Sequence, residues 1–330
     1  MLKSLADTID QLDLAAEHIA IGDVNNVRFG LMLTDNALEL VLHNIARDDA
    51  ADVKHYSTAR GAKHPQALEK AQGQSFAPKV RYGQLLHLYD AKVGETLLLC
   101  HLFRNELYHA GIQHEAILKR LARFHFHVVC TVLSERDPGY FSWGSNQRLP
   151  ERSKKYFAGP EYFPGTIDQY KAACLQMAAT VGHDPQVFVE ALADHMEAVV
   201  EDQDRNIEFI ETDAPQSLTR DQVVVSCQSW PLTATKEVET AMAAASFVPN
   251  NLFEAVSWIE TNFPIAIPKD PIPGWTRRVA DLRRTTDCHA ALKAYRSFMD
   301  QTATFRRWLD DDAMALDRSL QLQIDMRRGK

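Results

Sequence analysis

Residues 101–111 read His-Leu-Phe-Arg-Asn-Glu-Leu-Tyr-His-Ala-Gly and place Arg104, Asn105 and His109 at the end of an apolar helical segment. An arginine, a polar residue and a histidine can together bind and cleave a phosphodiester without a metal ion. Spacing alone carries little weight. An arginine followed five to seven positions later by a histidine also occurs at Arg81/His87, Arg120/His125, Arg120/His127, Arg283/His289 and Arg284/His289. Among the arginines of these pairs, only Arg104 is followed directly by asparagine. On an ideal helix Asn105 and His109, four apart, share a face, whereas Arg104 and His109, five apart, diverge by about 140°. One helix therefore does not close a compact site, and a second copy would have to supply the missing face.

The elements that must hold these residues are helical by pattern. Apolar positions recur at three- and four-residue spacing through residues 2–20 and 22–46 (Ile19, Val24, Val27, Leu31, Leu38, Val41, Leu42, Ile45), with a break and a cap at Gly22-Asp23. A polar stretch from Asp48 to about Pro78 reads as loop with room for one short helix. Helical runs follow at 80–90, 92–109 and about 114–135, with Gly111 as the C-cap of the second. Later helices are expected at 168–180, 185–211, 235–246, 251–262 and across 276–328; Val223-Val224-Val225 is the single strand-like run. The fold class expected is all-α.

Residues 138–167 change to aromatics, proline and glycine and read as an ordered connection between a helical bundle at 1–137 and a helical domain of unassigned role at 168–330. Charge is uneven. Residues 1–150 hold 16 basic against 17 acidic side chains, residues 184–261 hold 3 against 15, and residues 269–330 hold 13 against 9. A chain with formal net charge −8 is not built to coat nucleic acid by bulk electrostatics. Any RNA would meet the first domain or the C-terminal stretch, and the acidic 184–261 region is either a solvated face or a dock for a basic protein partner.

The N-terminus runs straight into an amphipathic pattern without a leader-like apolar core, and no apolar run approaches the ~18 residues of a membrane span. The five cysteines are dispersed, with no Cys-x-x-Cys pair. A cytoplasmic protein without a membrane partner is the expectation. Other motifs are bland. His183-Asp184 lacks the spaced ligands of a metal-dependent phosphohydrolase and is followed by Pro185. His125 and His127 read as helix-packing residues, and Asp310-Asp311-Asp312 as a solvated helix end or cap. With no phosphate-binding lysine loop and no Gly-x-Gly-x-x-Gly, nothing calls for a nucleotide or redox cofactor, and no metal is expected at the Arg104 site.

Residues 28–43, Arg-Phe-Gly-Leu-Met-Leu-Thr-Asp-Asn-Ala-Leu-Glu-Leu-Val-Leu-His, followed some sixty residues on by Leu-Phe-Arg-Asn-Glu-Leu-Tyr-His-Ala-Gly, resemble a HEPN domain (higher eukaryotes and prokaryotes nucleotide-binding). The resemblance covers roughly residues 1–136. It implies an antiparallel helical bundle whose signature is arginine, a polar residue, three to five further residues and histidine; here these are Arg104, Asn105 and His109. It further implies a metal-independent endoribonuclease of the toxin or phage-defence kind, working as a homodimer on an RNA substrate.

The implied chemistry is physically reasonable. RNA supplies its own nucleophile in the 2′-hydroxyl, and His109, with an ordinary pKa of about 6.5, can exchange protons near neutrality. Arg104 offers a permanent, bidentate charge for the phosphate oxygens. Asn105 would orient the histidine or donate to the phosphate. Some HEPN domains lack catalysis and serve as dimerisation or sensing modules that bind a protein or nucleotide. Arginine and histidine also serve as plain partners of the last carbonyls of a helix. The tyrosine found two positions after the histidine in toxins paired with nucleotidyltransferase antitoxins is replaced here by Gly111.

Overall fold

The computed structural model of the protein describes residues 2–56, 59–109, 115–136, 143–144, 147–159 and 165–328, except the side chains of Leu2, Tyr108 and His109. Among the described residues there are thirteen α-helices and no strand. They are α1 (Leu2–Ile21), α2 (Val24–His55), α3 (Pro65–Ala71), α4 (Phe76–Leu85), α5 (Ala91–His109), α6 (Glu115–Glu135), α7 (Ile167–Val181), α8 (Pro185–Asp213), α9 (Arg220–Leu232), α10 (Lys236–Ala244), α11 (Leu252–Asn262), α12 (Ile272–Arg283) and α13 (Cys288–Arg327). The all-α expectation holds. No helix among the described residues is long and apolar enough to cross a membrane.

Contact density divides the chain into two compact units, residues 1–192 with 286–293, and residues 193–285 with 294–330. In the first, α1 and α2 form an antiparallel pair on which α6 and α7 pack, with α4 and α5 also against α2. The periodic positions do what their spacing demands: Ile19, Val27, Leu31, Leu38, Val41, Leu42 and Ile45 are buried, and Val24 is half-buried at the first turn. Asp23 caps α2 by accepting from the Asn26 backbone N–H at 3.0 Å, which satisfies one of the helix's orphan donors. Gly30 sits where α1 and α2 run closest. A Cβ there would lie 2.5 Å from Ile19 Cγ1 and 3.0 Å from the Ala15 carbonyl oxygen.

Several boundaries differ from the sequence expectation. Helix α2 continues nine residues past 46, because residues 47–55 carry no glycine or proline to stop it. The polar stretch holds α3 and a 3-10 turn at Arg60–Lys63. Between α4 and α5 the chain turns at His87, whose φ of 56° is left-handed. The described part of the aromatic connection is seated on α1 in the first unit: Arg152 donates its backbone N–H to Asp10 Oδ1 at 2.9 Å, and the Tyr156 hydroxyl donates to Asp13 at 2.6 Å. Helix α7, expected to open the second domain, packs on α6 and α1 in this same unit.

In the second unit, Val223-Val224-Val225 is helical and not a strand. The β-branched run is overridden by the capping box that precedes it, in which the Thr219 side chain receives the Gln222 backbone N–H and Gln222 receives that of Thr219. Helices α10 and α11 close a core of Val238, Met242, Ala255 and Ile259, and Trp275 of α12 lies edge-on to Phe298 and Phe305 of α13. Asp310-Asp311-Asp312 lies within α13, not at a helix end: Asp310 Oδ1 accepts from Gln203 at 2.7 Å and Asn206 at 2.8 Å, and burial pushes Asp312 up to about 6.

Candidate functional site

Helix α5 buries Leu97, Cys100, Phe103 and Leu107, an i, i+3/i+4 stripe that locks its rotation against the bundle. Arg104 and Asn105 are then 100° apart on one flank, and His101, a turn earlier, falls between them. Sequence reasoning passed over His101 although it opens the same motif. Its Nδ1 lies 2.9 Å from Oδ2 of Asp35 on α2, and its ring stacks on Phe76 of α4 with centroids 4.3 Å apart.

Asp35 is the centre of the arrangement and is fully buried. Its Oδ2 also stands 3.6 Å from Arg104 Nε, a Coulomb contact too long for a hydrogen bond. Arg104 Nη1 donates to Asn105 Oδ1 at 2.8 Å. The Asn105 carbonyl oxygen is thus committed to the guanidinium, while its amide nitrogen keeps its donors. The other Asp35 oxygen, Oδ1, is 3.7 Å from Nε2 of His125 on α6, and neither atom has a hydrogen-bond partner. Burial pushes His125 down to about 4, so this imidazole is neutral at neutral pH. His125 is a core residue, while His127, two positions on, keeps part of its ring at the surface.

A fourth element joins from α4. Lys79 Nζ donates to Glu39 Oε1 at 2.7 Å and to the Gln74 carbonyl at 2.9 Å, and is almost wholly buried. Ligand atoms of Asp35, Glu39 and His101 all fall within 4.8 Å of one another, a spacing that a metal ion could use. Charge argues otherwise. Lys79 already balances Glu39 and Arg104 stands against Asp35, so a divalent cation would leave the cluster with uncompensated positive charge.

His109 is the last residue of α5, but its side chain lies outside the described residues, as do Ala110 and the expected C-cap Gly111. The helix backbone fixes the relation of the set: Arg104, Asn105 and His109 all belong to the last two turns of α5. The arginine that serves the last carbonyls is not Arg104 but Arg28 of α2, whose Nη2 donates to the Leu107 carbonyl at 2.7 Å. Arg104 is thereby left on the flank, half-buried, with its Nε unsatisfied.

The weaker motifs find structural roles. Asp184 caps α8, accepting at Oδ1 from the backbone N–H groups of Gln186 and Val187. All five cysteines are free and buried; burial raises the thiol pKa of each, which makes them poor nucleophiles. No family model, no characterised protein and no solved structure matches this chain.

Proposed function

We propose that the protein is a metal-independent endoribonuclease of HEPN type, acting in a toxin or phage-defence setting and cleaving RNA through its 2′-hydroxyl. The observation that carries this reading is the bracing of Arg104. A guanidinium set by Asn105 on one side and Asp35 on the other, on the flank of a helix that ends in His109, is a pre-oriented donor for a phosphate. His109 would move the proton of the 2′-hydroxyl or of the 5′-oxygen, Arg104 would hold charge on the phosphorane-like transition state, and the Asn105 amide N–H would donate to a phosphate oxygen.

The test is incubation with RNA in EDTA. Cleavage should persist and leave 2′,3′-cyclic phosphate ends, with DNA spared. His109→Ala and Arg104→Ala should each lower the rate on the order of 10²-fold or more without loss of helical content, and Asn105→Ala should be milder. Products with 3′-hydroxyl ends, or loss of activity on chelation, would rule the mechanism out.

The second reading is a non-catalytic helical dimerisation or sensing module that binds a protein or nucleotide partner. It is favoured by the same Asp35 contact, since an arginine engaged with a buried carboxylate has less charge to offer a phosphate. Wild-type protein without activity on any RNA, together with destabilisation by Arg104→Ala, would select it.

A further inference from the structure

A cavity of about 260 Å³ in the first unit is lined by Arg120, Arg123, Gly182, His183, Asp184 and Phe188. We propose that it binds a phosphate group, held by the paired guanidiniums of Arg120 and Arg123. The two arginines are three apart on α6 and so lie on one face of the helix, where like charges repel. Both are half-buried. Among the described residues neither makes an ion pair or a hydrogen bond, and Arg123 Nε is buried with no partner at all.

Every acidic group at the cavity is accounted for. Asp184 alone supplies a carboxylate to the lining, and its Oδ1 is held by the Gln186 and Val187 N–H groups of α8. Two positive charges therefore face one negative charge that the helix already uses. The same bonds show that the start of α8 is capped by its own chain: Phe188 N–H goes to the Asp184 carbonyl, and Pro185 has no N–H to give. The arginines, not the helix terminus, must carry an anion here.

His183 fixes the ligand further. Its Nε2 stands 3.6 Å from the Cys288 Sγ, its ring packs on Phe124 with centroids 5.1 Å apart and on His127 at 5.4 Å, and burial holds it neutral at neutral pH. It lends shape and polarity but no charge. A ligand that offers several oxygens to two forked donors at once is a phosphate, as monoester or diester, which arginine binds with two parallel N–H···O bonds. The volume is below the ~300–1,000 Å³ of pockets that enclose whole cofactors. The cavity therefore takes the phosphate group and leaves whatever it is attached to outside.

The experiment is a titration with inorganic phosphate in the Arg104→Ala background, which removes the other candidate phosphate ligand and keeps this inference independent of the ribonuclease reading. Binding is read by phosphorus-31 line broadening and by the thermal midpoint in phosphate-free buffer with and without the anion. Arg120→Gln and Arg123→Gln should each weaken binding on the order of 10- to 100-fold, as expected for loss of a charged donor. Arg123→Lys, which keeps the charge and loses the fork, should fall between; it also serves if a glutamine variant does not fold. Competition then names the source. Displacement by a 5′-phosphorylated ribo-oligonucleotide but not by its dephosphorylated form assigns a terminal phosphate, and equal displacement by both assigns the backbone phosphodiester. Absence of phosphate binding at tens of millimolar, or binding unchanged in both glutamine variants and in Arg123→Lys, overturns the proposal.

Discussion

The Asp35 carboxylate and the His101 imidazole, 66 residues apart in the chain, meet at 2.9 Å in the interior of the first unit, with Arg104 3.6 Å from the same oxygen. A fully buried carboxylate is tolerated only where hydrogen bonds and opposite charge repay its desolvation. Asp35→Asn keeps the shape and removes the charge. It should lower unfolding stability by about 1–3 kcal/mol, the cost of breaking a charge-assisted buried bond, and should loosen the guanidinium of Arg104. Urea denaturation checks the first effect, and RNA cleavage under folding conditions checks the second. An unchanged denaturation midpoint would mean that the Asp35–His101 bond is not formed in solution.

Stability should depend on pH through the buried imidazoles. His125 falls from its ordinary value of about 6.5 to about 4 on burial, and His183 does the same; burial also lowers His127 and His289. Because the unfolded chain binds these protons first, each group contributes stability that is fully present above about pH 6.5 and is lost as pH falls toward its own lowered pKa, which for His125 and His183 is about 4. At 1.36 kcal/mol per unit, His125 alone accounts for on the order of 3 kcal/mol. His125→Phe should remove its share: thermal midpoints measured from pH 7.5 to 4 should fall less steeply than in the wild type. Parallel curves would show that His125 is protonated, or solvated, in the folded protein.

How far the sequence spoke to this arrangement depends on the range of the contacts. The helices announce themselves through the burial period of Ile19, Val27, Leu31 and Leu38, because that pattern is local. The valines at 223–225 mislead for the same local reason, since three β-branched residues outweigh a cap four positions earlier; the Thr219-x-x-Gln222 box was the signal to follow. At the site, Arg104 and Asn105 are legible as neighbours, and His101 could have been found as the residue one turn back on their flank. Lys79 with Glu39, Asp35 with His101 and His125, and Arg28 with the Leu107 carbonyl are not legible, because each is made by packing helices whose relative rotation no local spacing specifies.

Gly30 sets the distance between α1 and α2, and hence where α2 presents Asp35. A methyl group there would press into Ile19 Cγ1, which can shift, and against the Ala15 carbonyl, which is backbone and cannot easily do so. Alanine gains up to about 1 kcal/mol in helix propensity over glycine, whereas overpacking costs about 1–3 kcal/mol. Gly30→Ala should therefore be neutral to destabilising, and Gly30→Leu should be destabilising by more. Thermal midpoints of the two variants check the order. A gain in stability for Gly30→Leu would show that the helices are not in close contact at this point.

Cleavage should require a homodimer built through the first unit. Arg104 and His109 diverge by about 140° on their helix, so a single α5 cannot enclose a phosphate and a facing copy must complete the cleft. The surface has the material for such a contact: Phe29 and Leu40 on α2 and Leu102 on α5 are about half exposed, and Leu102 adjoins His101 in the motif itself. Isologous contact is the commonest way for a helical bundle to cover leftover apolar side chains. Leu102→Asp should shift sedimentation toward the monomer and remove activity while leaving the helical content in place. Mixing an Arg104→Ala subunit with a His109→Ala subunit is the sharper assay, because a cleft composed across the two-fold axis should regain part of the activity that each homodimer lacks. A chain that sediments as a monomer at micromolar concentration and still cuts RNA would refute the shared cleft while leaving the ribonuclease proposal standing.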